Sequence, residues 1–324
     1  MSAALNGHWR RGRLFVVVAS SLILLVMAGM SAILWQASSQ MLYPAGPGDH
    51  GSLANCRTET QVYWGNDCGR LASSDVLEVT DTAFTSANGY QLSGWVVHAK
   101  ETPASEVKGV VLYVPGGGSD RREASRYAEL VLGLGYDLAA FDPVCHGMSP
   151  CTVPGVSFGA RERADVASAA DFLKVRYKTV FVMGSSVGAA SILSALPLLQ
   201  GVAGVIAENP MASFDSLIRN APEAQGLPDI MVDALIGLSR WRGQFGAGHD
   251  AIDGVRASSG VPILFIHSKA DAVVSWHQTE ELAASYLGPK RVVLTAEGGH
   301  GAVWNSNRAL FETEVTQFLQ QYGT

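Results

Sequence analysis

The stretch VFVMGSSVGAAS, Val180 to Ser191, decides how this chain is read. Val180 to Met183 is a short apolar run of the kind that fills a buried strand. Gly184-Ser185-Ser186-Val187-Gly188 follows directly, and an Ala-rich stretch suited to a helix follows that. A Gly-x-Ser-x-Gly at such a junction predicts a sharp strand-to-helix turn with the Ser186 hydroxyl at its tip. Its glycines let neighbouring backbone come close. The first N–H groups of the helix are free to face negative charge that develops beside the serine. GVSFG, around Ser157, matches the same pattern but lies after Pro154 with no strand before it. Ser186 is therefore the candidate nucleophile, and Ser157 is a pattern without its context.

On both sides of this turn, short apolar runs alternate with helical stretches. The runs are VVLYV (110–114), DLAAF (137–141), VFVM (180–183), GVIA (204–207), ILFI (263–266) and VVL (292–294). Helices are expected over Arg121–Leu132, Ala160–Arg176, Val187–Leu196, His277–Tyr286 and Ala302–Gln321. Ahead of them, Val76–Thr85 and Tyr90–His98 alternate about Asn88-Gly89, a hairpin signal. An antiparallel pair followed by β-α repeats predicts an α/β fold, a mostly parallel, doubly wound sheet with antiparallel N-terminal strands. Functional groups in such sheets sit just after the strands.

Those positions supply the partners Ser186 needs. The loop after VVLYV reads PGGGSD, and its glycines can turn backbone N–H groups into a site; Gly117, with Gly116 as the near alternative, is the candidate oxyanion donor beside the N–H of Val187. No Gly-Lys-Ser/Thr follows, which argues against a phosphate loop. His300, in EGGHG after the last strand, is the candidate general base. Asp271, in HSKADAVVS after ILFI, is the candidate acid that orients it, because the chain order Ser, acid, His fits this class of sheet. Glu297 and Asp142 are weaker candidates for the acid, and His146 is left outside the catalytic set. From Glu208 to about Val261 there is room for a short helical cap. Within it Ile230, Met231, Ala234, Leu235, Leu238 and Trp241 recur at helical spacing and predict an apolar face.

The N-terminus reads differently. A basic cluster, Arg10, Arg11 and Arg13, precedes Leu14 to Trp35, which carries no charged residue. This is long enough to cross a hydrocarbon core of about 30 Å. A cleaved signal peptide is the alternative, with Ala37-Ser38-Ser39 as its processing site. The arginines on the near side alone predict a cytoplasmic N-terminus and an extracytoplasmic domain. The expected division is 1–13 basic tail, 14–35 transmembrane anchor, 36–75 linker, and 76–324 catalytic domain with a cap at about 209–261. The formal net charge is −6, without a basic stripe beyond the tail, so nucleic acid is not an expected partner. Four cysteines, Cys56, Cys68, Cys145 and Cys151, lack zinc-like spacing and fit two local disulfides in an oxidising compartment, or four separate thiols.

With these motifs in place, residues 76 to 320 resemble the α/β-hydrolase superfamily, and most resemble membrane-anchored α/β-hydrolase-domain serine hydrolases related to serine aminopeptidases and dienelactone hydrolases. The resemblance rests on QMLYP (40–44), NGYQLSGWVV (88–97), VLYVPGGGSD (111–120), FDPVCHGMS (141–149), GSSVG (184–188), HSKADAVV (267–274) and GGHG (298–301). Two departures stand in it: Pro115-Gly116 replaces the family's usual His-Gly, and Val144-Cys145-His146 alters the loop after β-strand DLAAF. The resemblance implies hydrolysis through an acyl-enzyme, without metal or organic cofactor. If the apolar face of the cap lines the approach to Ser186 rather than packing on the body of the domain, it predicts a small-molecule substrate, a medium-length acyl ester or thioester. A serine peptidase and a non-catalytic binding module on the same fold are the competing expectations.

Overall fold

Strand VVLYV shows why the chain folds as a layered sheet. Val110, Leu112 and Val114 enter one hydrophobic cluster while Val111 and Tyr113 enter another. Alternate residues of a strand point to opposite faces, so a run apolar at every position is stable only with both faces covered. In Val180–Ser185, Val180 and Val182 likewise join the first cluster and Phe181 and Met183 the second.

The structure, a computed structural model, describes residues 2–44, 71 and 74–323, with backbone alone for residues 2–14 and 16. Its eight-stranded sheet comprises β1 (Leu77–Thr85), β2 (Gln91–Ala99), β3 (Val110–Val114), β4 (Asp137–Phe141), β5 (Val180–Ser185), β6 (Gly204–Glu208), β7 (Ile263–Ser268) and β8 (Lys290–Thr295). The order is β1-β2-β4-β3-β5-β6-β7-β8. β1 pairs antiparallel with β2, and β2 with β4, while the rest are parallel. This is the expected fold class. Strand β5 lies centrally, so Ser186 projects from the middle of the sheet's C-terminal edge.

Helix α1 (Ser2–Leu42) precedes the sheet. The expected first helix is instead a 3₁₀ segment, Arg121–Tyr127, leading into α2 (Ala128–Gly133). Then come α3 (Glu162–Lys174), α4 (Val187–Ala195), α5 (Phe214–Arg219), α6 (Asp229–Gly243), α7 (Ala251–Arg256) and α8 (His277–Ser285). The long C-terminal helix is broken into α9 (Val303–Ser306) and α10 (Arg308–Tyr322).

Two expectations need correction. The apolar face of α6 is not the one its sequence suggests: Val232, Ile236, Ser239 and Gly243 are buried, whereas Ile230 and Trp241 are 77% and 71% exposed. The buried stripe carries small residues because α1 packs on it, with Gly243 against Leu42. The segment expected to begin a linker at residue 36 is helical through Leu42. Among the described residues, Val17–Leu42 is the one stretch long and apolar enough to cross a membrane by length and composition. Cys145 and Cys151 form a disulfide, while Cys56 and Cys68 lie outside the described residues.

Candidate active site

Ser186 adopts φ 50°, ψ −119°, a backbone conformation that a residue with a side chain rarely takes. The neighbours enforce it. A Cβ on Gly188 would overlap the carbonyl oxygen of Val114, and one on Gly184 would come within 2.7 Å of the same atom. The two glycines therefore let the turn press against the end of β3 while holding the Ser186 side chain above the sheet. The Ser186 N–H donates to the carbonyl of Glu208, 2.9 Å away, which ties the turn to β6.

Ser186, His300 and Asp271, distant in sequence, meet here. Ser186 Oγ and His300 Nε2 are 2.7 Å apart, and His300 Nδ1 and Asp271 Oδ2 are also 2.7 Å apart. Since Asp271 can only accept when ionised, Nδ1 carries the imidazole proton and Nε2 is left to accept from the serine hydroxyl. The Asp271 side chain is buried and that of His300 is 20% exposed. Burial alone would raise the Asp271 pKa. Hydrogen bonds from His267 and His300, the charge His300 can carry, and the Val274 N–H outweigh it and hold the carboxyl well below the usual carboxylate range. Asn209 Nδ2 donates to Oδ2 at 2.6 Å, and the N–H groups of Val273 and Val274 donate to Oδ1 at 2.8 and 2.9 Å. His267, fully buried, bonds Thr279 through Nδ1 and directs Nε2 at the Val274 carbonyl.

The loop after β3 faces the serine. The Gly116 N–H is taken by Glu123 Oε2 at 3.1 Å, which removes the alternative donor. A Cβ built on Gly117 would lie 2.8 Å from Val187 Cγ2, so the loop after β3 packs closely against the first residue of α4. The Val187 N–H is the first of α4 and has no partner within the helix.

A buried polar cluster joins the three loops from behind. Glu123 Oε1 accepts from Ser185 Oγ at 3.0 Å and from Arg126 at 3.1 Å, and Arg126 Nη1 donates to the Gly301 carbonyl at 2.7 Å. Glu208 accepts from Tyr127 Oη at 2.8 Å and from the Val303 N–H at 3.3 Å. Ser268 Oγ donates to the Gly298 carbonyl, so the His300 loop is held on both sides. The sequence reading missed Asn209, Glu123 and Arg126. Asn209 sits directly after β6, where the strand-end rule points. Glu123 and Arg126 carry no local signal, because the partners that make them matter come from other elements.

The rejected candidates have other employment. Ser157 is 1% exposed, and its hydroxyl donates to Glu162 at 2.6 Å and accepts from the Arg161 N–H, at the start of α3. Asp142 is fully buried and accepts from the backbone and guanidinium of Arg121. His146 is 2% exposed with Nδ1 at the Val144 carbonyl. Among the described residues no cluster of His, Cys, Asp and Glu could hold a metal ion.

Sheet order, strand-end positions and the turn at Ser186 are those of the α/β-hydrolase fold, and the chain is an α/β-hydrolase-fold protein. A family model described as TAP-like protein matches residues 240–324. The chain is 27% identical over 257 residues to the uncharacterized protein YqkD of Bacillus subtilis, covering 76% of this chain and 81% of that one. Among solved structures it resembles the Pyrococcus furiosus esterase Pf2001 (TM-score 0.61, 20% identity, 76% and 92% of the two chains). It also resembles an acetyl xylan esterase from Paenibacillus sp. R4 (TM-score 0.59, 16% identity, 86% and 98%).

Proposed function

We propose that this protein is a serine hydrolase that cleaves carboxylic ester or thioester bonds of small acyl substrates through an acyl-enzyme. The observation that carries the reading is the continuous relay from Ser186 Oγ to His300 Nε2 and from His300 Nδ1 to Asp271, at 2.7 Å in both steps. Ser186 attacks the acyl carbonyl while His300 takes its proton. Asp271 keeps the imidazole in the productive tautomer and stabilises the imidazolium. The N–H groups of Gly117 and Val187 hold the tetrahedral oxyanion, and His300 returns the proton to the leaving alcohol or thiol. Water, activated by the same histidine, then releases the acid. The esterase names of the structural relatives support an ester over an amide.

The same reading takes α1 as a retained single-pass anchor, with the N-terminus cytoplasmic and the domain from residue 76 extracytoplasmic, capped by about 209–261. Retention is supported by Ser38 and Leu42, which are 0% and 1% exposed within the folded domain. Cleavage at Ala37-Ser38-Ser39 would cut through that packing.

The test is fluorophosphonate labelling of the purified full-length protein, followed by p-nitrophenyl esters from acetate to laurate, acyl thioesters and aminoacyl amides. Labelling with turnover of esters or thioesters is expected. Faster cleavage of the amides would move the assignment to a peptidase, and a folded protein that neither labels nor turns over would leave a binding module.

A further inference from the structure

The end of α1 is built into the rim of the site. Leu42 belongs to the main hydrophobic cluster, and its carbonyl accepts the Val156 N–H at 2.8 Å. Gly155 and Gly243 are pressed against it where a Cβ would collide. Arg161 fixes both walls of this seat, donating to the carbonyls of Gly243 and Gly155 at 3.0 Å each. Two turns earlier in the helix, Arg242 stacks on the Trp35 ring at 3.7 Å. It also donates to the Trp35 carbonyl at 2.7 Å and to Ser39 Oγ at 2.9 Å. Two residues beyond Leu42, Pro44 lies against Gly118, its Cβ 3.3 Å from where a side chain would begin. Gly118 adjoins Gly117, the proposed oxyanion donor.

The charge-free span and the folded domain therefore share one helix, with no free joint between them. From Trp35 to Leu42 the helix rises about 10 Å, and a bilayer's headgroup layer is roughly 5–7 Å deep on each side. With Trp35 at the hydrocarbon boundary, where such rings concentrate, the oxyanion loop is held only slightly above the headgroups. Trp35 and Tyr43, near the two ends of the docked stretch, are 51% and 46% exposed. With Trp35 placed so, Arg242, which stacks on its ring, falls at the level of the headgroups.

We propose that the site draws its substrate from the bilayer, and that this substrate is an ester-linked acyl lipid of the leaflet from which α1 emerges. This rests on the esterase reading above and narrows its substrate. The docked turn Trp35–Pro44 holds the mouth of the site at a fixed height, so that a lipid needs to rise by only part of its length to bring its ester carbonyl to Ser186.

The test uses the full-length protein in phosphatidylcholine vesicles that carry a pyrene-acyl phosphatidylcholine, with p-nitrophenyl butyrate as the soluble comparison. Ester lipid in the protein's own vesicles should be cleaved at least about a hundredfold faster than the same lipid in separate vesicles, because sharing a membrane raises the effective concentration. A second arm inserts seven helical residues of the Glu-Ala-Ala-Lys kind between Leu34 and Trp35. Two turns of helix lift the domain by about 10 Å and leave every docked contact in place. Lipid cleavage should then fall at least about tenfold, since small displacements of a reacting group are costly, while turnover of the soluble ester is retained. Equal rates from own and separate vesicles, or a lifted form that cleaves lipid as before, overturns the proposal. So does a wild-type protein that cleaves the soluble ester but releases no fatty acid from vesicles, and that result leaves the esterase reading intact. A protein inert on both esters and unlabelled by fluorophosphonate overturns the esterase reading, and this proposal with it.

Discussion

Ser186 owes its place to two glycines and one carbonyl. The strained φ at Ser186 and the absence of a side chain at Gly188 are one arrangement, since any Cβ at 188 would push the turn off β3. Ser186→Ala should keep the fold, abolish fluorophosphonate labelling and lower kcat by at least about 10⁴-fold. Ser157→Ala should keep labelling and lose about 1 kcal/mol of stability with its bond to Glu162, as read from denaturant midpoints. Labelling that vanishes with Ser157 instead would reverse the assignment. Asp271→Asn should cost on the order of 10³–10⁴ in kcat, since the amide can present a donor to Nδ1 and favour the wrong tautomer. It also has a signature in pH. The Asp271 carboxyl is depressed in the folded state, so its ionised form stabilises the protein at every pH above the unfolded value of about 3.9. That contribution is lost as pH falls through the lower folded value. The stability gap between wild type and Asp271→Asn should be flat above about pH 5 and shrink below about pH 4; a gap that grows on acidification would contradict the depressed pKa.

Elements pin one another through Glu123 and Arg126, whose side chains reach from one 3₁₀ segment to the loop after β3, the serine turn and the histidine loop. Glu123→Ala strips the Gly116 N–H, Ser185 and Arg126 of an acceptor and leaves a buried guanidinium without its carboxylate. A loss of about 3–5 kcal/mol is expected, with a fall in kcat larger than any change in KM, since the transition-state donors lose their register. Stability unchanged in thermal melts would mean the cluster is dispensable. What the sequence made legible follows from locality. Strand, turn, helix and the order of Ser186, Asp271 and His300 are written in consecutive residues or in strand-end positions. The Glu123–Arg126 cluster is tertiary throughout, and nothing in RREASRY distinguishes it from a solvated helix. The buried face of α6 was misread for a related reason. Ser239 and Gly243 look polar or featureless alone and become core only because Leu42 needs room there.

Across the full chain, apolar character by itself does not say which phase will bury it. Leu14 to Trp35 and Gln36 to Leu42 belong to one helix, yet Leu22, Leu25 and Ile33 of the former are exposed while Ser38 and Leu42 of the latter are buried in the folded domain. Protease added to intact cells, or to spheroplasts where an outer membrane intervenes, should digest the hydrolase domain while the N-terminal tail stays protected and the anchor remains in the membrane fraction. Full protection, or a released mature form, would count against that topology.

The seat around Leu42 sets a rule for anyone who wants a water-soluble fragment. The obvious place to trim is just past Pro44, which would leave a domain that looks complete by its sheet. It would also leave an empty slot between Val156 and α6, with Leu42 missing from the core at about 2–5 kcal/mol, Arg242 without its ring, and Gly118 without Pro44 beside it. Such a fragment should express poorly or work badly for reasons unrelated to solubility. The useful boundary lies upstream, just before Trp35, where the helix already packs on the folded domain.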